Sequence, residues 1–445
     1  MSFPRYPDYK DSGVEWLGDV PAHWEVGSAR WLTRRYSGGT PDKTNLAYWE
    51  DGTIPWLNSG AVNDRLITAP STYITAEAFA NSSAKWIPKG ALVMALAGQG
   101  KTKGMVAQLA IPSTCNQSMA AIIPGAEIDA RFLFWWLESN YQNIRNMAGG
   151  DLRDGLNLEL LGSIQCPLPL QGEQTQIAAF LDRETAKIDE LVREQRRLME
   201  LLKEKRQAVI SHAVTRGLNP HAPMKPSGVE WLGDVPEHWA VISLKRFCDV
   251  RDGTHDTPQF IDTSDVSFPF VTSKDLMNGQ VSLDETKHVS ATDYHEISRR
   301  SGVARGDVLM PMIGSIGGAV LVETDVHFAI KNIALFKASI NYNSRWLQLM
   351  LDSDLSVLQF ALNRSGGVQG FVALGTLRNL SFPFPSLDEQ GEIVSFLAIE
   401  TAKFDTLTEE AQQAIDLLQE RRTALISAAV TGQIDVRPFV EREAA

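Results

Sequence analysis

The sequence predicts a mixed α+β protein of the α/β class: two globular domains alternating with two long helices, laid out as an internal two-fold repeat. Three observations carry this. A 13-residue segment occurs twice, 215 residues apart. Each copy ends in a long stretch without Pro or Gly whose apolar residues recur at helical spacing. Between these ends lie short apolar runs punctuated by Gly and Pro, the pattern of buried strands joined by turns.

The repeat comes first, because missing one misreads the whole architecture. Ser12–Trp24 reads SGVEWLGDVPAHW and Ser227–Trp239 reads SGVEWLGDVPEHW, one difference in 13. Weaker matches follow. Gly38-Gly39-Thr40 aligns with Asp252-Gly253-Thr254, Trp56-Leu57-Asn58-Ser59 with Phe270-Val271-Thr272-Ser273, and IPKGALVMAL (87–96) with VARGDVLMPM (303–312). Arg131-Phe132-Leu133 aligns with Arg345-Trp346-Leu347. EQTQIAAFLDRETAKID (173–189) then matches EQGEIVSFLAIETAKFD (389–405), and LLKEKRQAVISHAVT (201–215) matches LLQERRTALISAAVT (417–431). The ends of the copies are nearly the same. The middles, about 25–165 and 240–385, keep a pattern but little identity. One scaffold presenting two different middles reads as two recognition elements with different targets; duplication followed by drift would not spare the ends alone. The expected divisions are 1–165, a first domain; 166–222, a first helical region; 223–385, a second domain; 386–435, a second helical region; and 436–445, a tail.

From Glu173 to Thr215 there is no Pro or Gly. Apolar residues at Ile177, Leu181, Ile188, Leu191, Leu198, Leu202 and Val209 alternate steps of three and four, with Glu184, Gln195 and Lys205 interrupting. The second copy offers Ile393, Leu397, Phe404, Leu407, Ala411, Ala414, Leu418 and Leu425. A period of 3.5 is that of coiled-coil packing, and two similar helices in one chain can satisfy each other. The alternative is that each helix packs on its own domain; a narrow seam with charged flanks favours helix on helix. A helix of roughly 40 residues would be about 60 Å long. In the middles, Ala91–Ala97, Met119–Ile123, Val303–Met310 and Ile333–Ala338 read as strands, and Ala130–Tyr141 and Ser344–Leu358 as helices with one apolar face. Trp16, Trp24, Trp231 and Trp239 are expected to anchor each domain to its helix.

Composition narrows the class. The 445 residues are 44% hydrophobic and 22% charged, as in ordinary globular proteins. MSFPRYPDYK lacks a signal-peptide pattern, and no apolar run approaches the roughly 20 residues of a membrane span. Cys115, Cys166 and Cys248 are isolated thiols without CxxC spacing. That argues against a disulfide framework or structural zinc and suits a reducing cytoplasm.

The doubled GVEWLGDVP segment and the EQ-x2-I-x2-FL…ET-x-K-x-D helix together resemble the specificity subunit of type I restriction-modification systems. DGTHDTP (252–258) and GQGKTKG (98–104) are also similar to loops of that family. The resemblance spans nearly the whole chain. It implies that each middle is a target-recognition domain reading one half of a bipartite site in double-stranded DNA. It implies that the helices form an antiparallel coiled-coil spacer, and that the helical repeats dock two modification subunits which methylate adenine with S-adenosylmethionine. Two restriction subunits using ATP and magnesium can join. No cofactor is expected on this chain, nor any membrane contact. Half-sites read from one face of a duplex lie about one helical turn, roughly 34 Å, or a multiple apart; a rigid helical pair sets such a distance where a flexible linker would not.

A net charge of −12 is unusual for a DNA-binding chain. Residues 25–165 carry 12 basic and 12 acidic side chains, 166–220 carry 9 and 8, 221–386 carry 14 and 18, and 387–445 carry 5 and 12. The acid excess sits largely in the last segment, so phosphate contacts must come from local basic loops.

The loops expected to meet DNA are therefore the Gly-rich, basic ones. In the first copy these carry Thr40, Asn58, Ser59, Gln99, Lys101, Thr102 and Lys103. In the second they carry Arg251, Thr254, His255, Ser273, Lys274 and Ser315. Lys and Arg pair with guanine and Gln with adenine in the major groove. The counterparts of the second-copy residues in the first are Ser37, Thr40, Ser59 and Gly60. For each residue singly, a solvated loop is the plainer reading. A metal at His255 would have only Asp252 and Asp256 for company, a weak ligand set.

ALAGQGKT (95–102) also fits a relaxed phosphate loop, the basis of an alternative ATPase reading. Such a loop must open a helix, whereas MVAQLAIP, which follows, reads as a strand and a break. A further alternative is a coiled-coil scaffold with two protein-binding domains. No Asn/Asp-Pro-Pro-aromatic methyltransferase motif, nuclease cluster or nucleophile triad is found in the sequence. The chain is therefore expected to be non-catalytic.

Overall fold

A computed structural model describes residues 3–98, 101–148, 155–264, 266–277, 279–314, 316–363 and 370–441. The chain divides into two compact units: residues 1–195 with 413–445, and residues 196–412. Each long helix therefore begins in one unit and ends in the other. The first is Gln171–Arg216 and the second Leu387–Val430. Among the described residues no helix is long and apolar enough to cross a membrane.

The first unit is built on a five-stranded sheet, in the order Thr33–Ser37, Met119–Pro124, Leu92–Ala95, Val106–Leu109, Leu66–Ile67. Beside it lies a three-stranded sheet of Thr114–Cys115, Ile54–Leu57 and Thr72–Ile74. The second unit repeats the plan. Val250–Asp252, Ile333–Phe336, Val308–Pro311 and Val320–Leu321 form one sheet, and Lys287–Val289, Phe268–Val271 and Ala329–Ile330 the other. The central strands are fully buried, which is why they read as unbroken apolar runs. The run expected from Val303 begins as a strand only at Val308, because Gly306 turns at φ 89° just before it. The two expected middle helices are each broken once. Ala130–Ser139 is followed by Tyr141–Asn146, and Ser344–Leu351 by Asp354–Leu362, whose N-cap Ser353 accepts from the Ser356 amide.

The long helices pair antiparallel within each unit. In the first unit Asp189 meets Arg422, while Phe180, earlier on the first helix, meets Phe439 beyond the end of the second. In the second unit Arg206 meets Asp405, and Gly217 abuts Glu389. The inward positions of the first helix are Leu181, Thr185, Ile188 and Val192, then Gln195, Met199, Leu202, Arg206, Val209 and Ala213. Those of the second are Leu397, Thr401, Phe404, Thr408, Ala411, Ile415, Leu418, Arg422, Leu425 and Ala429, each 216 residues on. Steps of four and three alternate throughout, a 3.5-residue seam. The Asp189–Arg422 and Asp405–Arg206 pairs are thus one contact made twice by the repeat. The expected seam needs a correction: Leu191, Leu198 and Leu407 face outward, 44%, 42% and 45% exposed. Val192, Met199 and Thr408 hold the inward positions instead, because the phase is set by Thr185 and Gln195, which apolarity alone does not mark.

The near-identical ends fasten helix to domain. Gln174 donates to the Glu127 and Pro169 carbonyls and accepts from the Asp129 amide at 2.7 Å. Gln390 does the same with Pro385 and Asn343. Glu173 holds His23 at 2.9 Å; Glu389 holds His238 at 3.1 Å and the Trp239 indole at 2.8 Å. Trp24 and Trp239 are buried at the ends of the helices, where Gly432 and Gly217 turn at φ 72° and 76° against them. A β-carbon at Gly432 would lie 2.4 Å from Pro21, so no larger residue fits without displacement. Trp16 is half exposed but stacks on Trp136, and Trp231 packs at the edge of the second core.

All three thiols are buried, and burial pushes each up to about 12, so they stay protonated and unreactive. Burial also pushes the Asp352 carboxyl up to about 6, against the lowering effect of the Ala319 amide it accepts at 2.7 Å and of Arg206. The folded value exceeds the unfolded one, so this group's stabilising contribution is full below about pH 4 and lost as pH rises through about 6. We expect an Asp352→Asn variant to lack a component of acid stabilisation, on the order of 1–2 kcal/mol between pH 7.5 and 5, that wild type shows in urea unfolding. Identical pH curves for the two would disprove it.

Candidate nucleic-acid interface

The expected recognition residues converge because of strand direction. In the first unit, Thr33–Ser37 ends, Met119–Pro124 begins, Leu92–Ala95 ends and Val106–Leu109 begins at the same end of the sheet. Three connections therefore emerge side by side: 38–40, 116–118 and the one whose described parts are 96–98 and 101–105. The Leu57 end of the neighbouring sheet joins them, since the Asn116 amide donates to the Leu57 carbonyl at 2.9 Å. The second unit matches this with 253–258, 331–332 and the connection whose described parts are 312–314 and 316–319, and the Lys331 amide donates to the Val271 carbonyl at 3.0 Å.

Most of the expected residues lie on these connections. Thr40 donates its hydroxyl to the Gln117 side chain. Asn58 caps the turn Ser59–Asn63, accepting from the Gly60 amide at 2.8 Å, so its carbonyl is engaged while Ser59 follows at the turn. Lys101 is exposed, with its own carbonyl accepting from Tyr141 at 2.5 Å. It faces a cleft of about 1010 Å³ that Arg65 and Tyr141 also line. Thr102 is half-buried. Lys103 is a correction: it is 4% exposed, drawn inside where Gly104 turns at φ 86° into the next strand, and offers no ammonium to a ligand at the surface. Gln99 and Ser315 lie outside the described residues.

In the second unit His255 is clamped, Nδ1 2.9 Å from Asn332 Oδ1 and Nε2 3.2 Å from Asp252. Asp252 is buried and receives Arg300 through two bonds of 2.7 and 2.8 Å. Thr254 donates its amide to the Ile330 carbonyl at 3.0 Å, and Arg251 pairs with Asp249 at 2.7 Å. Ser273 and Lys274 are exposed on a turn whose cap, Thr272, exchanges bonds with Asp275.

The loop alignment shifts by one residue. Gly38 and Gly253 donate to Met119 and Ile333, and Gly39 and Thr254 to Cys115 and Ile330. Thr40 therefore corresponds to His255, Ser37 to Asp252 and Tyr36 to Arg251. Both Thr40 and His255 make the same contact, a side-chain bond to the turn before the next central strand. Those turns, Asn116–Ser118 and Lys331–Asn332, were missed in the sequence. Their only signal was a short polar gap between two apolar runs. Asn332 adopts φ 55°, and Lys331 reaches the Thr257 hydroxyl.

A family model described as the type I restriction modification DNA specificity domain matches residues 33–199 and again 236–417. The chain belongs to this family. Curated relatives agree. It is 30% identical to the EcoR124I/EcoR124II specificity subunit of Escherichia coli over 181 residues, 39% of this chain and 42% of that subunit. It is 23% identical to the EcoBI specificity subunit of Escherichia coli over 73% of this chain and 70% of the relative. It is 20% identical to the StySPI specificity subunit of Salmonella potsdam over 94% and 90%. The fold matches a chain from a structure describing complex assembly and conformational transition of the type I R-M system, with a TM-score of 0.72 at 17% identity, covering 92% of this chain and 98% of that one. It also matches the HsdS subunit of Thermoanaerobacter tengcongensis, with a TM-score of 0.53 at 16% identity, covering 93% and 98%.

Specificity chains of this family recognise DNA and do not catalyse its modification or cleavage. The ATPase reading finds no support: the described part of the 98–104 loop leads into the strand Val106–Leu109 and not a helix.

Proposed function

We propose that this specificity chain reads a split sequence in double-stranded DNA, one half with each unit, from the loops at the matched ends of the two sheets. The observation that carries the reading is the repetition itself. One strand framework, with one set of loop-to-turn bonds, presents different residues at equivalent positions: Thr40 against His255, Ser37 against Asp252, Gly60 against Lys274. Domains at 1–165 and 223–385 are the readers, and the helical regions at 166–222 and 386–435 set their spacing. Lys101, Thr102, Arg251, Thr254, Ser273 and Lys274 approach the duplex. Outward leucines at equivalent places on both helices, Leu191 with Leu407 and Leu201 with Leu417, support docking of two modification subunits. Those subunits carry S-adenosylmethionine, and two restriction subunits carrying ATP and magnesium complete the complex in the cytoplasm.

The test is a methylation map. The chain is co-expressed with its modification partner in a methylation-free host, and N6-methyladenine is located by long-read sequencing. The expected result is one motif of two short half-sites around a fixed gap. Exchanging residues 25–165 for those of another reader should change one half and leave the other. An assembled, active complex that methylates no split motif would overturn the reading in favour of a protein-binding scaffold.

A further inference from the structure

The second unit holds a hollow of about 510 Å³ beside its edge strand Val250–Asp252, lined by Arg251, Arg299, Arg300 and Arg378 with Asp249 and Asp252. Both carboxylates are already engaged. Asp249 is held by Arg251, and Asp252 by Arg300 and His255. Arg378 gives Nε and Nη2 to the Val250 carbonyl, at 3.0 and 2.7 Å, and meets no carboxylate among the described residues. Arg299 is exposed and has no hydrogen bond or ion pair among the described residues. Four guanidiniums against two carboxylates leave two positive charges without counterparts, around a space large enough for a phosphodiester group.

The first unit also carries guanidiniums without a carboxylate partner among the described residues, at other positions. At its edge strand Thr33–Ser37, Arg35 donates to the Ala29 and Thr33 carbonyls, with the Arg30 guanidinium beside it over Gly162. Arg34 lies over the Tyr36 ring. None of the three has a carboxylate within 4 Å among the described residues. Burial, and then the charge of Arg30, hold Arg35 below the ordinary guanidinium range. By the strand register Val250 stands where Arg35 does, and Gly162 stands at the repeat position of Arg378. One unit brings its guanidinium from the strand over a glycine; the other brings it from the helix over a valine. Two routes to one charge at one place point to a ligand rather than to packing. Fixed guanidiniums favour phosphate through paired N–H donors.

We infer that the Arg251–Arg299–Arg300–Arg378 hollow is a seat for a DNA backbone phosphate next to the second half-site. The inference rests on the DNA-reading proposal above and adds a contact that carries register, not sequence. It also explains how a chain of net charge −12 can grip a polyanion.

The assembled complex is titrated, by fluorescence anisotropy, onto a duplex carrying its mapped motif and onto a random duplex of equal length, between 50 and 200 mM salt. Arg299→Gln is expected to weaken both duplexes alike, about 3- to 10-fold, and to lower the slope of log affinity against log salt by about 0.9. Arg299→Lys should recover most of the loss. Arg305→Gln, outside the hollow and paired with Asp325, should match wild type. An Arg299→Gln complex with wild-type affinity and slope would overturn the seat and leave the arginines as charges that merely protect an edge strand. Weakening confined to the mapped motif would overturn it in favour of a base contact. Failure of the wild-type complex to bind either duplex is a distinct result: it removes the DNA-reading proposal and this inference with it.

Discussion

Trp239→Ala should lower the stability of the second unit by about 3–5 kcal/mol, as large aromatic-to-alanine changes in cores do. Trp239 is 1% exposed and belongs to the same buried cluster as Ile210, Ala213 and Val214 of the first long helix and Val235 of the strand Asp234–Pro236. Its ring closes against Gly217, where that helix ends. Truncation opens a cavity at a junction whose backbone has little freedom to collapse. It also removes the 2.8 Å bond that holds Glu389 at the start of the other helix. Trp24, at the equivalent place, is equally buried, but its indole nitrogen has no hydrogen-bond partner among the described residues. Phenylalanine should therefore be tolerated better at 24 than at 239, by about 1 kcal/mol, the net value of one hydrogen bond. Urea midpoints of Trp239→Ala, Trp24→Phe and Trp239→Phe decide the matter. A Trp239→Ala protein within 1 kcal/mol of wild type would show that the paired end of the helix is not anchored there.

Arg422→Ala is the second large effect, expected at about 2–4 kcal/mol. The Arg422 side chain is 11% exposed; it bonds Asp189 at 3.1 Å and Glu138 at 3.3 Å and lies over the Trp135 ring. Removing it strands two carboxylates in a partly buried place, where losing one partner costs more than the pair contributed. Arg65, which also meets both carboxylates, limits the loss. Arg206 occupies the same seam position one repeat earlier, yet its side chain is 41% exposed and its ion pair with Asp405 is 3.3 Å long. Arg206→Ala should therefore cost no more than about 1 kcal/mol, the range of exposed pairs. Equal losses for the two variants would mean that the repeat, not local burial, governs the contact.

Much of this was legible in the sequence. The doubled SGVEWLGDVP segment and the EQ pairs marked the repeat because they do the same work twice, fastening a helix end to a tryptophan and a loop. The central strands were visible because both faces are buried. What escaped depends on geometry that composition does not encode. Leu191 is more apolar than Val192 and reads as the seam residue, but the phase follows the neighbouring threonine and glutamine. The Gly-Thr pairs at 39–40 and 253–254 invited an alignment that the backbone bonds shift by one. Lys103 reads as a surface cation until the strand that follows turns it inward. The loops expected to meet DNA are gathered at one end of each sheet by strand order, which a list of Gly-rich basic segments does not reveal. The Lys331–Asn332 turn was not found, because a two-residue polar gap has no distinctive pattern.

The sharing of the long helices has a consequence for how the chain matures. The second unit is one continuous run, 196–412, so all its contacts are available once that run has been made. The first unit is discontinuous: residues 1–195 lack their helical partner until 413–430 have been synthesised. Contacts closed over such a separation form slowly. The part of the protein that is translated first is therefore completed last, and until then the inward face of its helix from Leu181 to Gln195 stands uncovered in the nascent chain.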